Sequence, residues 1–174
     1  GKMGAALTAM KRVRPDKNIL TIAGDGGAYA IGLGETTSAA LRNENVTMFV
    51  MNNTVFGMTG GQLAPTTMIG QKTASTPAGR NFVDNGENTD VFKLMKGMDI
   101  AYLARTSVTS PANINRTKKA VRKAIEKQQA GKGFSLVEVL VPCPTNWHMS
   151  PVDSMKHIDE VVSKVYELGE VIDR

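Results

Sequence analysis

An aspartate flanked by glycines, Gly24-Asp25-Gly26, follows an apolar run in the stretch TIAGDGGAYAIG, and twenty-five residues separate Gly26 from an asparagine pair, Asn52-Asn53. One acid and one amide make an all-oxygen donor set of low charge. Magnesium prefers six oxygens in an octahedron and commonly takes only one or two protein carboxylates, filling the remainder with phosphate and water. A neutral amide as second ligand avoids crowding anions beside a diphosphate. Gly26 and Gly27 lack Cβ atoms and let the backbone approach phosphates, and a helix starting near Ala28 would aim its N-terminal amides at them. The spacing therefore asks for a magnesium diphosphate. An Asp-Gly pair alone is a common turn dipeptide, so the specificity comes from the Asn pair at this distance.

Other glycine-rich and nucleophile motifs fail. A dinucleotide fingerprint needs a third glycine where Tyr29 stands, no Gly-Lys-Ser/Thr completes a P-loop, and no G-x-S-x-G elbow occurs. His148 and His157 lack zinc-site spacing and read as surface or loop residues.

The elements that must position these residues alternate. A helix near Gly4–Val13 ends before Pro15, and NILTIAG and VTMFVMNN read as buried strands joined by a helix with Ile31, Thr37, Ala40 and Leu41 on its inner face. From Thr54 to about Gly86 runs a long stretch rich in Gly, Thr, Pro and Asn, a length of loop that is uncommon unless it covers a site. TDVFKLMKGM reads as a helix, IAYLARTS as a strand, 111–129 as a helix, FSLVEVLV as a strand, and 153 to about 168 as a last helix. The expected architecture is α/β, an open, mostly parallel sheet with helices on both faces, in one domain over 1–174. Ligands of such sheets bind just outside the carboxyl ends of the strands, where Asp25 and Asn53 fall.

With 41% apolar residues the 174-residue chain can bury a real core. No apolar run is long enough to span a bilayer and no secretory signal opens the chain, so a soluble, cytoplasmic protein without membrane contact is expected. The single Cys143 excludes an internal disulfide framework. Arg116, Lys118, Lys119, Arg122, Lys123 and Lys127 face only Glu126 within 116–127, which accounts for the whole net charge of +5. Val121, Ala124, Ile125 and Gln128 share the opposite face, giving an amphipathic helix with a basic outer side. A solvated face is its simplest reading, an acidic protein partner the next, and nucleic acid is disfavoured because no aromatic platform is interleaved.

GDG, twenty-five residues, then NN resembles the thiamine-diphosphate motif. Together GDGGAYAIG, MNNTVFGMTGGQLAPTT and VEVLVPCPTNW resemble the thiamine-diphosphate (beta) subunit of 2-oxoacid:ferredoxin oxidoreductases, closest to the 2-oxoisovalerate and 2-oxoglutarate types, over nearly the whole chain. The resemblance implies CoA-dependent oxidative decarboxylation of a 2-oxoacid, with electrons passing through iron–sulfur clusters to ferredoxin. It implies that Asp25, Asn53 and the Val55 carbonyl hold Mg2+, that Gly24, Gly26, Gly27 and Gly57 adjoin thiamine diphosphate, and that Met58, Thr59 and Gln62 lie nearest the thiazolium and substrate. Read alone, Met58 is core packing, Gln62 a loop hydrogen bonder, and Cys143 a small buried hydrophobe.

The family places a cysteine at Cys143 as fourth ligand of a 4Fe–4S cluster whose other three thiolates lie upstream and are absent from this sequence. The chain thus resembles a fragment beginning partway into the subunit, expected to carry no cluster by itself. The glutamate that activates the aminopyrimidine belongs, in the family, to a pyrimidine-binding (alpha) subunit, leaving Glu35 as a surface residue. The alternatives are a non-oxidative thiamine-diphosphate enzyme of decarboxylase or acetolactate synthase type, and a noncatalytic module that binds an acidic partner through 116–127.

Overall fold

The computed structural model describes residues 1–174. Helix α1 (Met3–Val13) precedes strand β1 (Leu20–Gly24), a π-helical turn over Gly27–Ile31, helix α2 (Leu33–Leu41) and strand β2 (Thr47–Asn52). The segment after β2 folds back as a short antiparallel hairpin, β3 (Val55–Phe56) with β4 (Gln62–Leu63), then carries the one-turn helix α3 (Phe82–Asn85) and the short α4 (Val91–Met95). Strand β5 (Tyr102–Ser107), helix α5 (Pro111–Gln129) and strand β6 (Ser135–Leu140) follow. Short helices α6 (Pro144–Trp147) and α7 (Pro151–His157), a second π-turn over Ile158–Val162, α8 (Ser163–Val165) and strand β7 (Gly169–Asp173) complete the chain.

The sheet order is β1-β2-β6-β5-β7, parallel throughout except for β7, which pairs antiparallel with β5 at one edge. Strand periodicity sorts the core. Met48, Val50, Leu103 and Leu136 point to the face covered by α1, α2 and α4, while Phe49, Tyr102, Ala104, Val137 and Val139 point to the face covered by α5. Each fully buried Leu, Val or Phe contributes roughly 1.5–3 kcal/mol, so the inner strands β2, β5 and β6 are covered on both faces, while the edge strand β1 leaves Leu20 and Ile22 open. A third cluster, Met68, Leu140, Ile158, Val162 and Tyr166, closes the carboxyl edge beside Trp147. On the first face α1 lies close on α2 because Gly4 has no side chain, and a Cβ there would fall 2.3 Å from the Glu35 carbonyl. No helix is long and apolar enough to cross a membrane.

Five expectations change. Strand β1 is not a buried strand: it forms an edge of the sheet, with only Ala23 buried and Leu20 and Ile22 exposed. Helical backbone begins at Asp25 itself, not near Ala28, because Gly26 adopts ordinary right-handed helical angles and needs no loop. The π-turn then takes an extra residue, which rotates the inner face of α2 onto Thr36, Ala39 and Ala40 and leaves Ile31 and Leu41 exposed. The helix expected over TDVFKLMKGM shrinks to Val91–Met95, capped at its start by the Asp90 side chain. Helix does not run to 168: β7 was not foreseen, and its Glu170 and Asp173 pair with Lys123, while Asp173 also pairs with Lys127. Two of the six cations of α5 are therefore neutralised, and Arg116, Lys118, Lys119 and Arg122 form the exposed basic face. The inner face of α5 is as expected, with Ala124 and Gln128 buried and Val121 and Ile125 packed against the core, joined by Ala120.

Candidate functional site

The parallel register of β1 and β2 ends at Gly24 opposite Met51, so Asp25 and the Asn pair leave the sheet side by side. A cavity of about 220 Å³ opens there, lined by Gly24, Asp25, Gly26, Gly27, Asn53, Val55, Gly57, Met58 and Thr59, together with Phe56, which the sequence reading did not single out. Gln62 and Cys143 lie outside that lining. Gln62 is tied to it, since Thr59 Oγ1 and Gln62 Oε1 are 2.6 Å apart and Gln62 Nε2 donates to the Thr59 carbonyl at 2.7 Å. Cys143 stands just behind Gly57: a Cβ on Gly57 would lie 3.7 Å from its Sγ, and Asn146 Nδ2 donates to that sulfur at 3.1 Å and to the Gly57 carbonyl at 3.1 Å. It is half-buried at the foot of α6, where Pro142 and Pro144 flank it, and is not the fully buried hydrophobe that its isolation suggested.

The two asparagines divide their work. Asn52 is buried, and its Oδ1 accepts the Thr54 amide at 3.0 Å, turning the chain at a left-handed Thr54 (φ 61°). Thr54 is locked there, its carbonyl accepting from Thr67 Oγ1 at 2.6 Å and its hydroxyl accepting from Gln71 at 2.8 Å. Asn53 is freed to face the cavity, its Oδ1 accepting the Val55 amide at 3.3 Å and its carbonyl accepting Trp147 Nε1–H at 3.1 Å.

Asp25 is 1% exposed. Burial pushes its carboxyl up to about 7, against hydrogen bonds from the Thr66 hydroxyl and the Gly26 amide that favour the ionised form, while nearby Glu138 adds to the rise. Glu138 is itself held by Arg105 across the β5–β6 register, and Arg105 also reaches Asp90 at 2.7 Å and stacks over Phe92 at 3.9 Å. An anion buried at this depth is costly unless a cation or several donors meet it. Asp25, the Asn53 amide oxygen and the Val55 carbonyl form an all-oxygen set with one charge, which fits a hard divalent cation sharing its shell with phosphate. Room beside them lies at Gly24, where a Cβ would meet nothing within 4 Å, and at Gly27, where it would meet only Met3 at 3.6 Å; the space above Gly26 is instead filled by the Phe56 ring and that above Gly57 by the Asn53 and Asn146 side chains, so these two glycines admit protein groups, contrary to expectation. The residues present therefore fit a metal diphosphate. They do not by themselves fit an iron–sulfur cubane: no group of three or more His, Cys, Asp or Glu is gathered anywhere, and Cys143 could supply one thiolate of four.

Met58 is as exposed as it would be in an unfolded chain, which overturns core packing as its role. His148 is exposed in a left-handed turn, whereas His157 is half-buried edge-on to Trp147, ring centroids 5.2 Å apart, and burial lowers its pKa. Glu35 pairs with Lys2 at 2.6 Å on the outside of α2.

Residues 1–139 match the family described as thiamine pyrophosphate enzyme, C-terminal TPP binding domain. The chain is 37% identical over its whole length to ketoisovalerate oxidoreductase subunit VorA of Methanothermobacter thermautotrophicus, covering 37% of that protein. It is 38% identical to 2-oxoglutarate synthase subunit KorB of Archaeoglobus fulgidus, over 92% of this chain and 56% of that one. It thus spans between a third and just over half of these relatives. Its fold superposes, with a TM-score of 0.76, on 2-oxoglutarate:ferredoxin oxidoreductase from Magnetococcus marinus, covering 99% of this chain and 62% of that chain at 21% identity. The match of the family model over four-fifths of the sequence, on the fold that the register of β1 and β2 requires, establishes that this chain belongs to the thiamine pyrophosphate enzymes, as a TPP binding domain.

Proposed function

We propose that this chain is the diphosphate- and metal-holding part of a cytoplasmic 2-oxoacid:ferredoxin oxidoreductase subunit, acting on a 2-oxoacid of the 2-oxoisovalerate or 2-oxoglutarate class. The observation that carries the reading is the meeting of Asp25, Asn53 and Val55 around one cavity at the ends of β1 and β2. In support, proteins 37% and 38% identical to it are named as subunits of oxidoreductases or synthases for those oxoacids.

In this reading Asp25, Asn53 and the Val55 carbonyl hold Mg2+, Gly24 and Gly27 leave room for the diphosphate, and Gly26 and Gly57 admit the Phe56 ring and the Asn53 and Asn146 side chains that wall it in. Thiamine diphosphate, when bound, supplies a carbon nucleophile and an electron sink for the decarboxylation. The chain's own residues position that chemistry. Thr59 and Gln62, fixed on each other, and the exposed Met58 face the reacting end and the 2-oxoacid. A pyrimidine-binding subunit covers Met58, excludes water and contributes the activating glutamate. Forming acyl-CoA and CO2 releases two electrons, which ferredoxin would accept one at a time; Cys143 would supply one thiolate to a 4Fe–4S cluster only if three more came from outside this sequence.

The test is a turnover assay on the assembled complex with 2-oxoisovalerate and with 2-oxoglutarate. Ferredoxin reduction that requires CoA is expected. Release of aldehyde without CoA or an electron acceptor would point instead to a non-oxidative decarboxylase.

A further inference from the structure

We infer that Thr66 is the positioning residue of the metal site and that Arg80 is the staple that holds Thr66 in place; the inference rests on the reading of Asp25 as a metal ligand. Asp25 sits with its carboxylate almost out of reach of water, and one side-chain hydroxyl, that of Thr66, donates to its Oδ2. A carboxylate that ligates through one oxygen turns about its terminal torsion unless the other is fixed. The outer-shell donor therefore decides whether the ligand is aimed before the metal arrives.

Thr66 comes from far along the sequence, in the turn Ala64-Pro65-Thr66-Thr67, closed by the Thr67 amide on the Ala64 carbonyl at 3.1 Å. Pro65 presets the second position of that turn and places Thr66 third. The turn is pinned from outside. Tyr166 donates its hydroxyl to the Thr66 carbonyl at 2.7 Å, and Thr67 bonds back to Thr54.

Arg80 completes the clamp. Arg80 is 6% exposed, and its guanidinium forms no salt bridge. Instead it donates to six backbone carbonyls: Ala64, Pro65 and Thr67 on one side, and Asn85, Gly86 and Glu87 on the other. A buried cation satisfied wholly by backbone dipoles is expensive to desolvate, and a fold retains it where the carbonyls so gathered must not move. Those on one side belong to the residues flanking Thr66. The chain Arg80, turn, Thr66, Asp25 thus ends on an oxygen of the metal ligand.

The experiment is a Mn2+ titration of the assembled, metal-free complex at saturating thiamine diphosphate, read by loss of the free-ion electron paramagnetic resonance signal. Thr66→Val keeps the shape and removes the donor, and is expected to weaken Mn2+ binding by about ten- to a hundredfold. Thr66→Ser restores the hydroxyl and should bind within about threefold of the parent. Turnover of Thr66→Val should recover as Mn2+ is raised, a rescue that a merely structural lesion would not show. If Thr66→Val does not assemble, Thr66→Ala is read in the same way. Arg80→Lys, with fewer donors, should show a smaller loss in the same direction. Asp25→Ala in the same titration separates the two ideas. Binding lost there but unchanged in Thr66→Val overturns the positioning role alone; binding retained in Asp25→Ala overturns the metal site and the inference with it.

Discussion

The two banks of the cavity are built to opposite standards. On the Asp25 bank every group is buried and tied: Asp25 to Thr66, the Thr66 turn to Arg80 and Tyr166, and Glu138 to Arg105 and through it to Asp90. On the Met58 bank, Met58 stands fully in solvent, Gly60 and Gly61 turn at φ of 115° and 79°, and Thr59 and Gln62 bond chiefly each other. The difference teaches that this chain preorganises the buried charge and leaves open the bank that, in the proposed function, faces the 2-oxoacid. Holding charge cannot wait for a partner, because a misplaced buried carboxylate is penalised at once. An exposed methionine costs little until another surface covers it.

Substitutions on the two banks should differ accordingly. The largest effect is expected at Arg80→Met, which removes the guanidinium from six carbonyls, of which Ala64 and Pro65 keep a backbone amide donor, and should destabilise the chain by about 4 kcal/mol or more in denaturant unfolding. Asp25→Asn should act in the opposite sense on the metal-free chain. The native carboxyl titrates near 7 because of burial, above its usual value of 3.8. The native state therefore holds a proton that the unfolded state has released, and this group's stabilisation, complete below pH ~4, is lost as pH rises through 7. Asp25→Asn should accordingly gain up to roughly 4 kcal/mol over the parent at pH 8 and nothing at pH 4. Unfolding curves of both proteins across that range check the sign. Glu138→Ala leaves the buried Arg105 with Asp90 alone and should cost about 3 kcal/mol. The smallest effect on stability belongs to the open bank: Met58→Ala should shift unfolding by less than about 0.5 kcal/mol. It should nonetheless lower kcat/KM of the assembled complex several-fold, and a large loss of stability there would erase the contrast between the banks.

The sheet and the cavity lining were readable because each rests on local pattern. Apolar β-branched runs marked β1, β2, β5 and β6, and the distance from Gly26 to Asn52 set the crossover that brings Asp25 beside Asn53. What was hidden depends on contacts through space. Only Ile172 of β7 is buried, so Gly169–Asp173 reads as a polar tail until its hydrogen bonds to β5 are seen. The inner face of α2 is not legible in the sequence because a π-turn leaves no apolar signature. Thr66 lay inside the quoted stretch APTT, yet a threonine after a proline says nothing about a carboxylate forty-one residues upstream. Arg80 looks like any surface cation, since its acceptors are backbone carbonyls, which every residue has.

The central claim, that Asp25 and Asn53 hold the metal diphosphate, is tested most directly by calorimetric titration of thiamine diphosphate in the presence of Mg2+ into the assembled complex and its variants. Asp25→Ala and Asn53→Ala should each abolish the binding isotherm while the complex remains assembled. Binding retained in both would contradict the account.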